Sequence, residues 1–272
     1  MSIIENMPAE EYFAVDAASN SGLKLIRRSP AHYKKGGKGS TPNMERGSAR
    51  HMCILEPEKF EKYYHIAECD NRTRSEFKGL AKDVGAEHVL PRGELSSILE
   101  SREGAMRNSR FRKMVESPGR TELSVFTTDP ITGLALKCRF DWKGDSFAAM
   151  DLKSTTDARE DAFSKVITAL EYDSAVAFYA FVWEIETGEK IDCSRHFPLA
   201  ALENDAPNCL IMHDLDEIAL MRGRKLFREA LNTMAECINT GVWGGYQEES
   251  VINSITSWEQ NKLLEGMESF DG

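Results

Sequence analysis

The chain lacks any apolar run approaching the roughly 18 to 20 residues that a membrane-spanning helix requires. Its 41% apolar content is instead dispersed through a sequence that is 29% charged. The N-terminus, MSIIENMPAEEYF, is acidic and carries neither the basic nor the apolar region of a signal peptide. We therefore expect a cytoplasmic protein with no membrane partner. Cysteines are few and scattered (Cys53, Cys69, Cys138, Cys193, Cys209, Cys237), with no C-x-x-C pair. Zinc and iron–sulfur sites use clustered spacings, so reduced, mostly buried thiols are expected. An excess of positive charge is also missing. Lys and Arg number 34 against 44 Asp and Glu, a net charge of −10, which argues against a general nucleic-acid coat.

What charge there is lies unevenly. Residues 23–50 hold eight basic side chains, Lys24, Arg27, Arg28, Lys34, Lys35, Lys38, Arg46 and Arg50, against the single acid Glu45. The last 32 residues hold six acids against Lys262. A locally basic groove on an acidic body suits an enzyme that grips DNA and then releases it; solvated helix faces are the plainer alternative.

With no internal repeat and no linker, residues 1–272 read as one elaborated α/β domain. Residues 1–60 form a helical, basic N-terminal part, 120–213 a sheet core, 214–240 a long helix and 259–272 an acidic tail. SGLKLIRR (21–28) reads as a short helix, and Ser29 as the N-cap of a second with Pro30 at its first position. Lys35 to Pro42 reads as a mobile basic loop, and Glu45 to Glu56 as a helix stopped by Pro57 that carries His51. Residues 75–116 look mainly helical, with breaks near Pro91 and Gly104. Strands are expected at 122–128, 134–142 and 147–153, then at 194–203 and 207–213, with helices at 157–170 and 172–183. The helix expected at 215–239 has Asp214 as N-cap, Glu217 in the capping-box position and Gly241 past its end. Its apolar stripe is Leu220, Phe227, Leu231, Met234 and Ile238.

The chemistry is concentrated in LALKCRFDWKGDSFAAMDLKST, residues 134–155. Residues two apart on a strand point to the same face, so Asp151 and Lys153 present a carboxylate beside an ammonium. Asp141, near the end of the preceding strand, can add a second carboxylate. Two carboxylates for a hard divalent ion, and a lysine beside the water it activates, are what phosphodiester cleavage requires. A D-x-K triplet alone also fits a surface salt bridge. The apolar FAAM before it and the Ser-Thr-Thr turn after it place this one at a strand end, where sites collect.

The ordered motifs SGLKLIRRSPAHY (21–33), RGSARHMCILEPEKF (46–60), TELS (121–124), TGLALKCRFDW (132–142), MDLKST (150–155) and YDSAVAFY (172–179), followed by SRHFPLAAL and GVWGGY, carry a family likeness. Together they resemble the exonuclease VIII, or RecE-type, nucleases of phages and prophages, within the PD-(D/E)xK superfamily. The resemblance runs over roughly residues 10 to 258. It implies an α/β fold with a central mixed β-sheet flanked by helices, and a Mg²⁺ site, with Mn²⁺ as the alternative ion. By the same resemblance Asp141, Asp151 and the Leu152 carbonyl bind metal, with His51 beside it. Lys153 positions or helps deprotonate the attacking water. Glu122 is an outer partner of the metal site, and Tyr179 is the tyrosine of the following helix. Lys24, Arg27 and Arg28 become candidates for gripping DNA.

The implied activity is 5′ to 3′ digestion of linear double-stranded DNA by a ring-shaped homo-oligomer. It would leave 3′ single strands for a single-strand annealing or single-strand-binding partner. One position departs from the family: Ala175 stands where a glutamine is usual, so any hydrogen bond that amide makes is absent. Two alternatives remain beside the exonuclease: a catalytically weakened DNA-binding or inhibitory protein that keeps the fold, and an endonuclease of the same superfamily.

Overall fold

The structure is a computed structural model, and residues 2–36, 42–255 and 257–268 are described. The chain opens with β1 (Ser2–Ile4), α1 (Ala9–Ala14), α2 (Asn20–Arg28) and α3 (Pro30–Lys35). Ser29 caps α3, its side chain accepting from the His32 N–H, with Pro30 at the first helical position. The expected basic loop lies largely outside the described residues. α4 (Pro42–Leu55) follows and is separated from α5 (Pro57–Tyr63) by Glu56, at the proline that forbids continuation. Next come β2 (His65–Ala67), α6 (Ser75–Val84), β3 (Val89–Pro91), α7 (Arg92–Arg107) and α8 (Ser109–Val115).

The sheet core supplies β4 (Gly119–Thr128), β5 (Ala135–Gly144) and β6 (Ala149–Thr155). After α9 (Glu160–Leu170), α10 (Tyr172–Thr187) and the one-turn α11 (Cys193–His196) come β7 (Leu199–Glu203) and β8 (Leu210–His213). α12 (Glu217–Thr240) and α13 (Ser257–Glu268) end the described chain.

The main sheet is mixed, in the order β1-β4-β5-β6-β7-β8; β6 and β7 run parallel and every other neighbour is antiparallel. Helices cover both faces. On one, Leu23 and Ile26 of α2, Val176, Phe178 and Val182 of α10, and Phe227 and Leu231 of α12 pack on Leu123, Val125, Leu136, Cys138 and Phe140. On the other, Ile54 of α4, Ala105 of α7 and Phe111 of α8 cover Met150, Leu152, Ala200 and Leu202. α10 is apolar on nearly every side, which marks a helix enclosed by its neighbours rather than lying on the surface.

Several expectations are corrected. α7 runs straight through Gly104, where the missing Cβ lets the Asn208 backbone come close. The helix breaks instead at Asn108, whose side chain caps α8 by accepting from the Phe111 N–H at 3.0 Å. The N-cap of the long helix is Asp216, accepting from Ala219 N–H at 2.8 Å; Asp214 instead pairs with Arg110, and Glu217 with Arg224. Ile238 is half exposed rather than on the buried stripe. Residues 193–196 form a helical turn, so the strand expected from 194 begins at Leu199. The short strands β1, β2 and β3 were not expected, because three residues are too few to show alternation. Four of the six cysteines, Cys53, Cys138, Cys193 and Cys237, are buried, and all six are free. Among the described residues no single helix is long and apolar enough to cross a membrane.

Candidate active site

β5 and β6 pair only at Trp142–Met150 and Lys143–Ala149. Continuing that register would set Asp141 opposite Asp151, and there the two strands part. A side chain takes over from the backbone ladder: Asp141 Oδ2 accepts the Leu152 N–H at 2.7 Å. β6 meanwhile begins its parallel pairing with β7 at Asp151–Leu199. The carboxylates therefore stand in the fork between two strands, fixed by sheet hydrogen bonding on either side.

Further groups close in on this fork. Lys153 Nζ donates to Asp151 Oδ1 at 2.6 Å, and its ammonium lies 5.0 Å from the centre of the Tyr172 ring at the start of α10. From α4, His51 Nδ1 comes to 3.6 Å of Asp141 Oδ2. Glu122 on β4 lies opposite Asp141, between the pairs Thr121–Trp142 and Leu123–Phe140. Its φ of 49° is the left-handed conformation, uncommon for a residue with a side chain and found where function imposes strain. The Arg139 guanidinium stands 3.7 Å from its carboxylate.

The electrostatics follow from burial. Asp151, only 3% exposed, has its pKa pushed up to about 7 by desolvation, with Lys153 pulling it down and the Asp141 charge adding to the rise. Burial also raises Asp141 and Glu122. For Lys153, burial disfavours the ammonium, but the charges of Asp151 and Asp141 outweigh it and hold its pKa above the ordinary lysine range. His51 is lowered to about 4 by burial and then by Lys153, so its imidazole is neutral near pH 7, as a metal ligand must be.

Asp151 Oδ2 is buried and accepts from no N–H or hydroxyl, its polar neighbour being the Asp141 carboxyl. A buried carboxylate oxygen left unpaired is costly, and a divalent cation between Asp141 and Asp151 would satisfy it. The donor set fits a hard ion, being two carboxylates with a neutral imidazole close by and the Leu152 backbone hydrogen-bonded to that imidazole. As they stand, no group of three His, Cys, Asp or Glu among the described residues is already spaced as a cage. Lys153 still takes one oxygen of Asp151 and the Leu152 N–H one of Asp141.

The remaining sequence candidates fall in different places. Tyr179 packs edge-on to Phe140 and Phe178 and against Phe197; its hydroxyl pKa is raised well above the usual range by burial and then by the Asp151 charge. Ala175 is buried in α10. Arg27 is engaged within the fold, pairing with Glu171 and donating to the Leu226 carbonyl at 3.4 Å. Lys24 donates to the Leu170 carbonyl at 3.0 Å, and Arg28 to the Tyr246 hydroxyl at 3.2 Å. These three fasten α2 to the α9–α10 turn, to α12 and to the chain beyond it. Sequence reasoning did not single out Tyr172, although it opens the YDSAVAFY motif. Arg50, counted there only among the basic residues of 23–50, directly precedes His51.

A structure from Eubacterium rectale, provisionally described as an exonuclease, aligns over 95% of this chain and 98% of its own, with a TM-score of 0.63 and 14% identity. That likeness bears on the fold. A second solved structure, SSO0001, is 16% identical over 71% of this chain and 88% of its own, but its TM-score of 0.28 carries no argument. No curated protein matches the chain. The family model described as a PDDEXK-like domain of unknown function, DUF3799, matches residues 19–253. The chain thus belongs to this PDDEXK-like family, within the PD-(D/E)xK nuclease superfamily.

Proposed function

We propose that the protein is a divalent-metal-dependent DNA nuclease, and specifically an exonuclease acting on linear duplex. The observation that carries this reading is the buried Asp151 Oδ2, without an N–H or hydroxyl donor, beside Asp141 and Lys153 at a strand fork in a PDDEXK-like chain. Asp141, Asp151 and the Leu152 carbonyl would hold the ion, with His51 at its side. Bound Mg²⁺ or Mn²⁺ supplies Lewis-acid polarisation of phosphate and water.

The chain's own groups do the rest. The Lys153 ammonium, held between Asp151 and the Tyr172 ring, orients the attacking water and balances charge on the phosphate. Its raised pKa leaves it protonated at neutral pH, so it serves as a donor and not as the base. Glu122 and Arg139 brace the fork from β4 and β5.

The finer reading, 5′ to 3′ resection in the manner of RecE-type enzymes within a ring-shaped oligomer that hands a 3′ strand to an annealing or single-strand-binding partner, rests on the ordered motifs alone. A linear duplex labelled separately at each 5′ and 3′ end tests it, with and without Mg²⁺ and beside a closed circular plasmid. Mg²⁺-dependent release of 5′ label with the circle intact is the expected result. Release from 3′ ends first, or nicking of the circle, would overturn the exonuclease assignment.

A further inference from the structure

α9 and α10 meet in an elbow bent by 65°, with Glu171 alone between them in the left-handed conformation at φ 56°. Tyr172 is the first residue past the bend, and the elbow around it is clamped from two helices. From α2, Arg27 Nε donates to the Glu171 carboxylate at 3.0 Å, and Lys24 to the Leu170 carbonyl at 3.0 Å. From α12, Arg222 donates to the buried Asp173 carboxylate and to the Thr168 carbonyl, each at 3.0 Å. Gly223 beside it has no Cβ, which lets α12 come close to the Asp173 backbone. Both neighbours of Tyr172 are thus acids held by arginines. Cations also sit at the carbonyl end of α9, where the helix dipole favours them.

This scaffold fixes one ring. Tyr172 rests on the fully buried Phe163, with ring centres 6.1 Å apart, and Phe163 in turn on His213 at 4.7 Å. The Lys153 ammonium lies 5.0 Å from the Tyr172 ring centre. A carboxylate and an aromatic face hold a cation differently. Asp151 accepts an N–H of Lys153 and offsets its charge. The ring attracts the ammonium through its quadrupole and takes none of its protons, which leaves the remaining lysine donors for water and phosphate. A lysine stem is flexible, and a reacting group ordered in advance gains rate.

Resting on the nuclease reading above, we propose that Tyr172 is a positioning residue whose ring holds the Lys153 ammonium at the strand fork in the pose that cleavage uses. It acts through Lys153, and its hydroxyl takes no part.

Two measurements test it. The first follows single-turnover cleavage and duplex binding for the wild type, Tyr172→Phe, Tyr172→Leu, Lys153→Ala and the double variant Lys153→Ala/Tyr172→Leu. Tyr172→Phe keeps the ring and should cut within about twofold of the wild type. Tyr172→Leu keeps an apolar side chain without a π face, and should cut about threefold to thirtyfold more slowly with binding unchanged. In the Lys153→Ala background the same leucine should cost nothing further. An active wild type whose leucine variant cuts equally fast, loses binding instead of rate, or loses as much without Lys153 would overturn the proposal. A phenylalanine variant as slow as the leucine one would overturn it too.

The second needs no turnover. In protein carrying carbon-13 lysine, the Lys153 ε-methylene signal is identified by its absence from Lys153→Ala. The Tyr172 ring current should shift that signal upfield, with the shift kept in Tyr172→Phe and lost in a folded Tyr172→Leu. An unshifted signal in the wild type, or the same shift in Tyr172→Leu, overturns the contact. A shifted signal in a wild type that cuts no duplex would count against the nuclease reading and leave the hold of Tyr172 on Lys153 standing.

Discussion

The Asp151 carboxyl shows what burial does to one side chain of the proposed cation site. Its pKa of about 7 in the folded protein, against the ordinary 3.8, means that the native state keeps a proton the unfolded chain has already lost. Proton linkage then gives the sign: Asp151's contribution to stability is highest below about pH 4 and falls as pH rises towards 7. His51 acts oppositely, because its folded pKa of about 4 makes stability rise with pH between there and its unfolded value of 6.5. Comparison with the Asp151→Asn variant largely offsets that background, since burial and Lys153 act on His51 more strongly than Asp151 does. Without divalent ions, thermal denaturation should show the wild type losing stability relative to Asp151→Asn from pH 4 to 7. Added Mg²⁺ should restore the wild type, and more so at pH 7.5 than at pH 5.5. A difference that is flat across this range would remove the buried proton from the account.

Glu122 is a second residue whose conformation makes a testable claim. At φ 49° a side chain meets a steric cost of roughly 1 to 2 kcal/mol that glycine escapes. Glu122→Gly should therefore be more stable than Glu122→Ala, by about 1 kcal/mol in urea denaturation. Equal stability of the two variants would show that this backbone is not strained.

At the scale of elements, the basic helix α2 divides between surface and structure. Arg27 is 12% exposed at its side chain and ties α2 to Glu171 and to the Leu226 carbonyl of α12. Truncating it leaves a partly buried carboxylate without its cation, so Arg27→Ala should cost about 1 to 3 kcal/mol in stability. Affinity for duplex measured well below the melting temperature should be unchanged. Weaker DNA binding without loss of stability would return Arg27 to the interface.

The same helix shows what a linear sequence conveys. Capping by Ser29 with Pro30 was legible because it depends on neighbours in the chain. The partners Glu171 and Leu226 lie 144 and 199 residues away, and no local pattern announces them. The strands of the sheet core and the D-x-K spacing were legible for the same local reasons. The parting of β5 and β6 and the stacking of Tyr172 under Lys153 each need two elements placed together. The cap of α12 was misplaced by two residues because Asp214 and Asp216 offer the same chemistry, and only the distant Arg110 separates their roles.

For the molecule as a whole, a net charge of −10 confines anion binding to local clusters of guanidinium and ammonium groups. At the strand fork the Lys153 ammonium stands beside the Asp151 carboxylate. The central claim is that Asp141, Asp151 and Lys153 act together on a phosphodiester, and it is tested most directly by single-turnover cleavage of an end-labelled linear duplex. Wild type and Lys153→Ala would be compared in Mg²⁺, with duplex binding followed in the same samples. The account predicts that Lys153→Ala binds the duplex as the wild type does and cuts it roughly a hundredfold to a thousandfold more slowly. Cleavage by Lys153→Ala at the wild-type rate would contradict it.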